Sequence, residues 1–102
     1  VFEKADGNTF TGVCQEGAQF TADDCSTKIV GARYFVDGFG ADRIGDDSTG
    51  PGEFLSPRDG DGHGSHTAGT AAGNHRVDAT VTGIDFGAIS GVAPAAKVAA
   101  YK

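Results

Sequence analysis

The sequence has no methionine and no tryptophan, and only two cysteines and three prolines among 102 residues. Hydrophobic residues make up 38%, and 17 positions are glycine. Glycine brings no side chain to a core and loses more conformational freedom on folding than any other residue. Little burial is therefore expected from this chain by itself. Basic residues are also scarce, 8 against 14 acidic ones, for a net charge of -6. That balance excludes electrostatic attraction to nucleic acid or to an anionic membrane. No apolar run approaches the roughly 20 residues that span a bilayer. The start, "VFEKADG", carries neither an initiator methionine nor a signal-peptide pattern. The chain is expected to begin inside a longer precursor.

The two cysteines, Cys14 and Cys25, enclose the polar stretch "QEGAQFTADD". Tetrahedral zinc wants four ligands at tight spacing, which two cysteines among scattered His and Asp do not supply. The choice lies between a disulfide and two free thiols, and on this composition the disulfide is the better reading. Such a bond would contribute roughly 2–3 kcal/mol and place the chain in an oxidising compartment.

Four segments follow from composition and periodicity. Residues 1–27 read as loop organised by the cysteine pair. Residues 28–62 hold the β-branched and aromatic run "KIVGARYFV", a strand with Gly31 at a bulge or close backbone approach, followed by a long turn-rich loop. A helix is expected over 63–74, with Asp61 as N-cap and Gly73 or Asn74 as its stop. Its interior, "HGSHTAGTAAG", is almost all small residues, which permit a very close approach to another backbone, so burial on several sides is expected. Residues 75–102 read as a hairpin, "VDATVT" with "IDFGAIS", then the turn "GVAP" and the strand "AKVAAYK".

The stretch with the most chemistry is "SPRDGDGHGSHTAGTAAGN", residues 56–74. His63 opens the helix through a Gly-rich loop, a position from which a side chain reaches both a nucleophile and an orienting partner. A base at the positive end of a helix needs a neighbouring carboxylate to hold the imidazolium it forms. Taken alone, His63 reads more simply as a surface or cap histidine.

The wider pattern changes that balance. "DGHGSHTAGTAAG" followed by "GVAPAAKVAAYK" resembles the subtilisin-like serine proteases, the subtilases, whose histidine motif reads H-G-T-H before small residues. "GVCQEGAQFTADDCSTKIVGARYF" and "SPRDGDGHGSHT" are similar to a secreted branch that includes plant cucumisin-type and related bacterial enzymes. The resemblance runs from about Gly12 onward. It implies an α/β fold with a mostly parallel sheet, of which this chain is a segment incomplete as an independent domain. It also implies that His63 is the catalytic base and that His66, three residues on, is structural and faces the packing interior. Asp61, Gly64 and Ser65 lie beside the site, with Ser65 where the family more often has Thr; the swap keeps the hydroxyl. Cys14 and Cys25 match a pair that is disulfide-bonded in that branch.

In this family the triad order along the chain is Asp, His, Ser. The D-[ST]-G motif is not found before His63. The nearest match, Asp47 in "DDSTG", is one residue out of pattern, follows no apolar strand and reads as a turn. The nucleophile motif G-T-S-[MA] does not occur, nor does G-x-S-x-G, and neither Ser65 nor Ser90 has such a setting. The isolated chain is expected to be inactive, with the remainder of a catalytic domain and protein or peptide substrates as its partners. Asp59 and Asp61 are explained by turns and capping rather than calcium, no EF-hand pattern being present. No cofactor is implied in this segment. Arg58 is expected to anchor the loop through a local salt bridge, and His75 is given no catalytic role. Two other readings stand beside the protease: a metal module built from His63, His66, His75 and nearby aspartates, and a disulfide-stapled interaction module.

Overall fold

β-branched and small residues after Lys28 set the centre of the chain, where three consecutive residues of one strand are buried. A computed structural model describes residues 2–38, 40–44 and 54–102. The elements are β1 (Phe2–Glu3), β2 (Thr9–Phe10), β3 (Ile29–Arg33), α1 (His63–Ala72), β4 (Val77–Val81), β5 (Ile84–Ile89) and β6 (Val98–Tyr101). Short 3-10 turns occupy Ala22–Asp24 and Ala41–Arg43. Within the stretch read as loop over 1–27, Phe2 and Glu3 pair antiparallel with Phe10 and Thr9. The expectation for Asp47 lies outside the described residues.

β3 and β6 pair in parallel, with α1 between them in sequence. The register steps from Ile29↔Val98 to Gly31↔Ala99, so β3 carries one extra residue at the glycine. That is the bulge expected there. On its other edge β3 is flanked by the cysteine segment, with Ala32 N–H donating to Val13 O at 2.8 Å and Gln15 N–H to Ala32 O at 2.9 Å. Gly12 is required at this approach: a Cβ there would lie 1.9 Å from Val30 O. β3 is consequently the most enclosed element, and Val30 and Ala32 are buried.

The β4–β5 hairpin turns through Thr82 and Gly83, both in the left-handed region at φ 47° and 80°. Two positive φ values give a turn whose twist matches the strands it joins. Along the strands the register steps from Asp78↔Ala88 to Thr80↔Asp85, placing the extra residue on β5. Gly87 supplies the positive φ there, and the Asp85 carboxylate receives its N–H at 2.7 Å.

Lys28 ties these parts together. Its ammonium donates to Ala72 O at the end of α1 and to Pro94 O and Ala96 O on the way into β6, each at 2.7 Å. A cation at a helix C-terminus meets the carbonyls that have no intrahelical donor. Lys28→Met keeps the apolar stem and removes all three bonds. Hydrogen bonds to charged groups contribute about 1.5–3 kcal/mol each, and the orphaned carbonyls partly recover water. Local opening of residues 91–96, read by hydrogen exchange, is expected to become easier by about 2–3 kcal/mol.

Burial is sparse. Only Val30, Ala32 and Ala72 form the apolar core of the described residues, and the radius of gyration is 15.7 Å. A compact chain of this length would measure about 13 Å. Val77, Val81, Ile84, Phe86 and Ile89 of the hairpin are all more than 45% exposed. Among the described residues no helix is long and apolar enough to cross a membrane.

Candidate active site

The approach to His63 is built from three sides. Cys14 and Cys25 are joined, with S–S 2.10 Å and Cα–Cα 6.2 Å, so the disulfide favoured over free thiols is the observed state. The loop it closes reaches across to the chain before the helix: Ala18 N–H donates to Leu55 O at 3.0 Å. At Gly17 a Cβ would lie 2.4 Å from that same carbonyl. Ser56, fully buried, turns the chain by accepting the Arg58 N–H on its Oγ at 3.1 Å. From the far side, Lys102 Nζ donates to Arg58 O at 2.7 Å.

The salt bridge expected of Arg58 is replaced by other contacts among the described residues. Its guanidinium donates to Gln19 Oε1 in the disulfide loop and lies 4.2 Å from the Phe54 ring centroid. The planar, weakly hydrated guanidinium suits a ring face as well as it suits a carboxylate.

α1 begins at His63, as expected, but its cap differs. The N-cap position is Gly62, left-handed at φ 93°, and it has no side chain to offer. Asp59 takes the role assigned to Asp61. Its Oδ1 accepts from Asp61 N–H at 3.2 Å and Gly62 N–H at 2.9 Å. Its Oδ2 accepts from Ser65 N–H and Ser65 Oγ–H, both at 2.7 Å. The left-handed turn at Gly62 explains the change, because it brings the residue three positions back under the first turn. The Gly62 N–H and the Ser65 donors hold the Asp59 carboxyl well below the usual carboxylate range. A depressed folded value contributes stability above the ordinary 3.8 and loses it as pH falls further, so this turn is fully held at neutral pH.

His63 itself is exposed, and among the described residues no hydrogen bond holds its ring. Its carbonyl and that of Gly64 receive the Thr67 hydroxyl at 3.2 and 3.0 Å. His66 is also exposed, and of the helix residues only Ala72 is buried. Burial of α1 on several sides is therefore not reached among the described residues, which cover its C-terminal end and leave the rest of its surface open. The close approach expected of small residues is made at that end, between Gly73 and Gly91, where Gly91 N–H donates to Gly73 O at 3.1 Å. Gly64 has ordinary room, a Cβ there lying 3.5 Å from Asp59 Oδ2.

His75 sits apart, its Nδ1 3.3 Å from Ser90 Oγ, which also accepts the Arg76 N–H at 2.7 Å. Among the described residues no three His, Cys, Asp or Glu side chains converge as a metal requires. The proposed ligands His63, His66 and His75 do not form one site. Sequence reasoning missed Lys28 and Gln19, which carry no periodic or motif signal, since each acts on chain more than 35 residues away.

Two parallel strands joined through a helix, with an exposed histidine on its first turn, make an α/β arrangement of the kind the sequence motifs describe. The model of the subtilase family matches residues 7–102, and the chain belongs to that family. It is 52% identical over 91 residues to subtilisin-like protease SBT1.6 of Arabidopsis thaliana, a match covering 89% of this chain and 12% of that protein. It is 46% identical over 95 residues to subtilisin-like protease SBT2.2 of the same plant, covering 93% of this chain and 11% of the relative. Subtilisin-like protease SBT5.6, also from Arabidopsis, is 45% identical over 95 residues, 92% of this chain and 12% of its own length. The chain thus spans about an eighth of the length of these curated relatives.

Proposed function

We propose that this chain is the histidine-bearing part of a secreted subtilisin-like serine endopeptidase, with His63 as general base and acid. One observation carries the reading: His63 is presented, exposed, on the first turn of a helix whose approach is fixed by the disulfide loop, Lys102 and Asp59. In the reaction, the His63 imidazole takes the proton of a serine hydroxyl as its oxygen attacks the peptide carbonyl. It then gives that proton to the leaving amine as the C–N bond breaks. The aspartate that orients the ring, the serine and the oxyanion donors come from the remainder of the catalytic domain. The bare surfaces of α1 and of the β4–β5 hairpin are where that remainder packs, His66 included. The disulfide supports an extracellular setting.

The test is covalent labelling. A serine-reactive phosphonate is expected to label the full-length protein and to leave the isolated 102-residue chain unlabelled. Labelling of the isolated chain would place a nucleophile within it and overturn the reading.

A further inference from the structure

The Asp59 carboxylate is saturated by donors on both sides of His63. Asp61 and Gly62 precede the histidine and Ser65 follows it. The carboxylate therefore closes a ring of chain, residues 59–65, that contains His63. Gly62 has turned left-handed and brings no side chain, so it fixes nothing by itself. Within that ring a change of the His63 backbone is resisted by the bonds that Asp59 makes on either side of it. The direction of its Cα–Cβ bond, and so the reach of the imidazole, is set from below.

We propose that Asp59 is a positioning residue for His63, holding the first turn of α1 at the angle from which the imidazole meets its serine. The proposal rests on the reading of His63 as general base. An acceptor-only group with two oxygens is what this place requires, since the donors are two backbone N–H groups on one oxygen and an N–H with a hydroxyl on the other. Ionisation adds to the fit, because a negative charge beside a helix N-terminus is favourable. The Asp59 carboxyl keeps that charge at neutral pH, its hydrogen bonds holding it below the usual range. Ser65 acquires a purpose here too: its hydroxyl, the part shared with Thr, is the fourth donor.

The experiment uses the full-length protein and a peptide substrate, with Asp59→Ala, Asp59→Asn, His63→Ala and the Asp59→Ala/His63→Ala double variant. Small displacements of a reacting group cost up to about 100-fold in rate. Asp59→Ala is expected to lower kcat about 10–100-fold with KM held within about twofold. Asp59→Asn, which keeps one acceptor oxygen, should recover part of that loss. In the His63→Ala background Asp59→Ala should change the residual rate by less than about twofold, because the positioned group is gone. An equal loss in both backgrounds overturns the proposal, as does an Asp59→Ala enzyme with unchanged kcat. If Asp59→Ala does not fold, Asp59→Asn decides by the same comparison, its kcat falling with His63 present and not without it. Full activity in His63→Ala would overturn the His63 reading and this proposal together, and it is recognised with Asp59 intact.

Discussion

In the full-length protein, His63→Ala is expected to lower kcat toward a peptide substrate by about 10⁶-fold, with KM little changed. In subtilisin-like enzymes, removing the histidine of the triad costs about as much as removing all three members, because they act as a unit. What survives, roughly 10³–10⁴ over water, comes from binding and the oxyanion donors. The histidine adds nothing to substrate affinity that the transition state does not also need, so the loss falls on kcat. His66→Ala supplies the contrast within the same helix. His66 lies one turn along and is read as packing against the rest of the domain. Its replacement is expected to lower the thermal midpoint and leave kcat within about tenfold. A ratio of the two effects near unity, measured per folded molecule with the folded fraction read by circular dichroism, would remove His63 from the base role.

Much of this arrangement was legible in the residues. The start of α1 at His63, the bulge at Gly31 and the Thr82–Gly83 hairpin follow from local signals, glycine placement and alternation, that act within a few residues. The pairing of Cys14 with Cys25 was favoured by composition, two cysteines being too few for zinc, and by the resemblance. Three features were not readable. Asp59 and Asp61 are chemically equivalent and both precede the helix. Only the left-handed turn at Gly62 decides which of them reaches Ser65. Arg58 has carboxylates nearby in sequence, yet Gln19 and Phe54 reach it in space. Lys28 begins a strand and shows no sign of the three carbonyls it serves, 44 to 68 residues further on. Exposure of α1 differs in kind. The small residues describe a helix made to be covered, and the described residues cover only its C-terminal end.

Gly91→Ala is expected to destabilise the fold by about 3–5 kcal/mol, at the upper end of point substitutions. Its Cβ would lie 2.2 Å from Gly73 N, 2.8 Å from Gly69 O and 2.9 Å from Ala72 C. All three are backbone atoms of the last turn of α1 and its C-cap, so no rotamer change relieves the clash. The helix or the "GVAP" turn has to move. Moving either strains a run of bonds that closes the crossover: Gly91 N–H to Gly73 O, Val92 N–H to Thr70 O at 2.9 Å and Ala93 N–H to Ala71 O at 2.8 Å. The Lys28 ammonium loses its geometry as well, since Ala72 O and Pro94 O lie on the two sides of the same contact. Gly38→Ala, with nothing within 4 Å of the new methyl, is the matched control and should be near neutral. The two variants are compared by thermal midpoint and by hydrogen exchange over residues 91–96. Because α1 is a rigid lever with His63 at its other end, kcat should fall in Gly91→Ala while Gly38→Ala keeps the parent rate. A midpoint for Gly91→Ala equal to that of Gly38→Ala would mean that the backbone contact between helix and turn is not what binds α1 to the sheet.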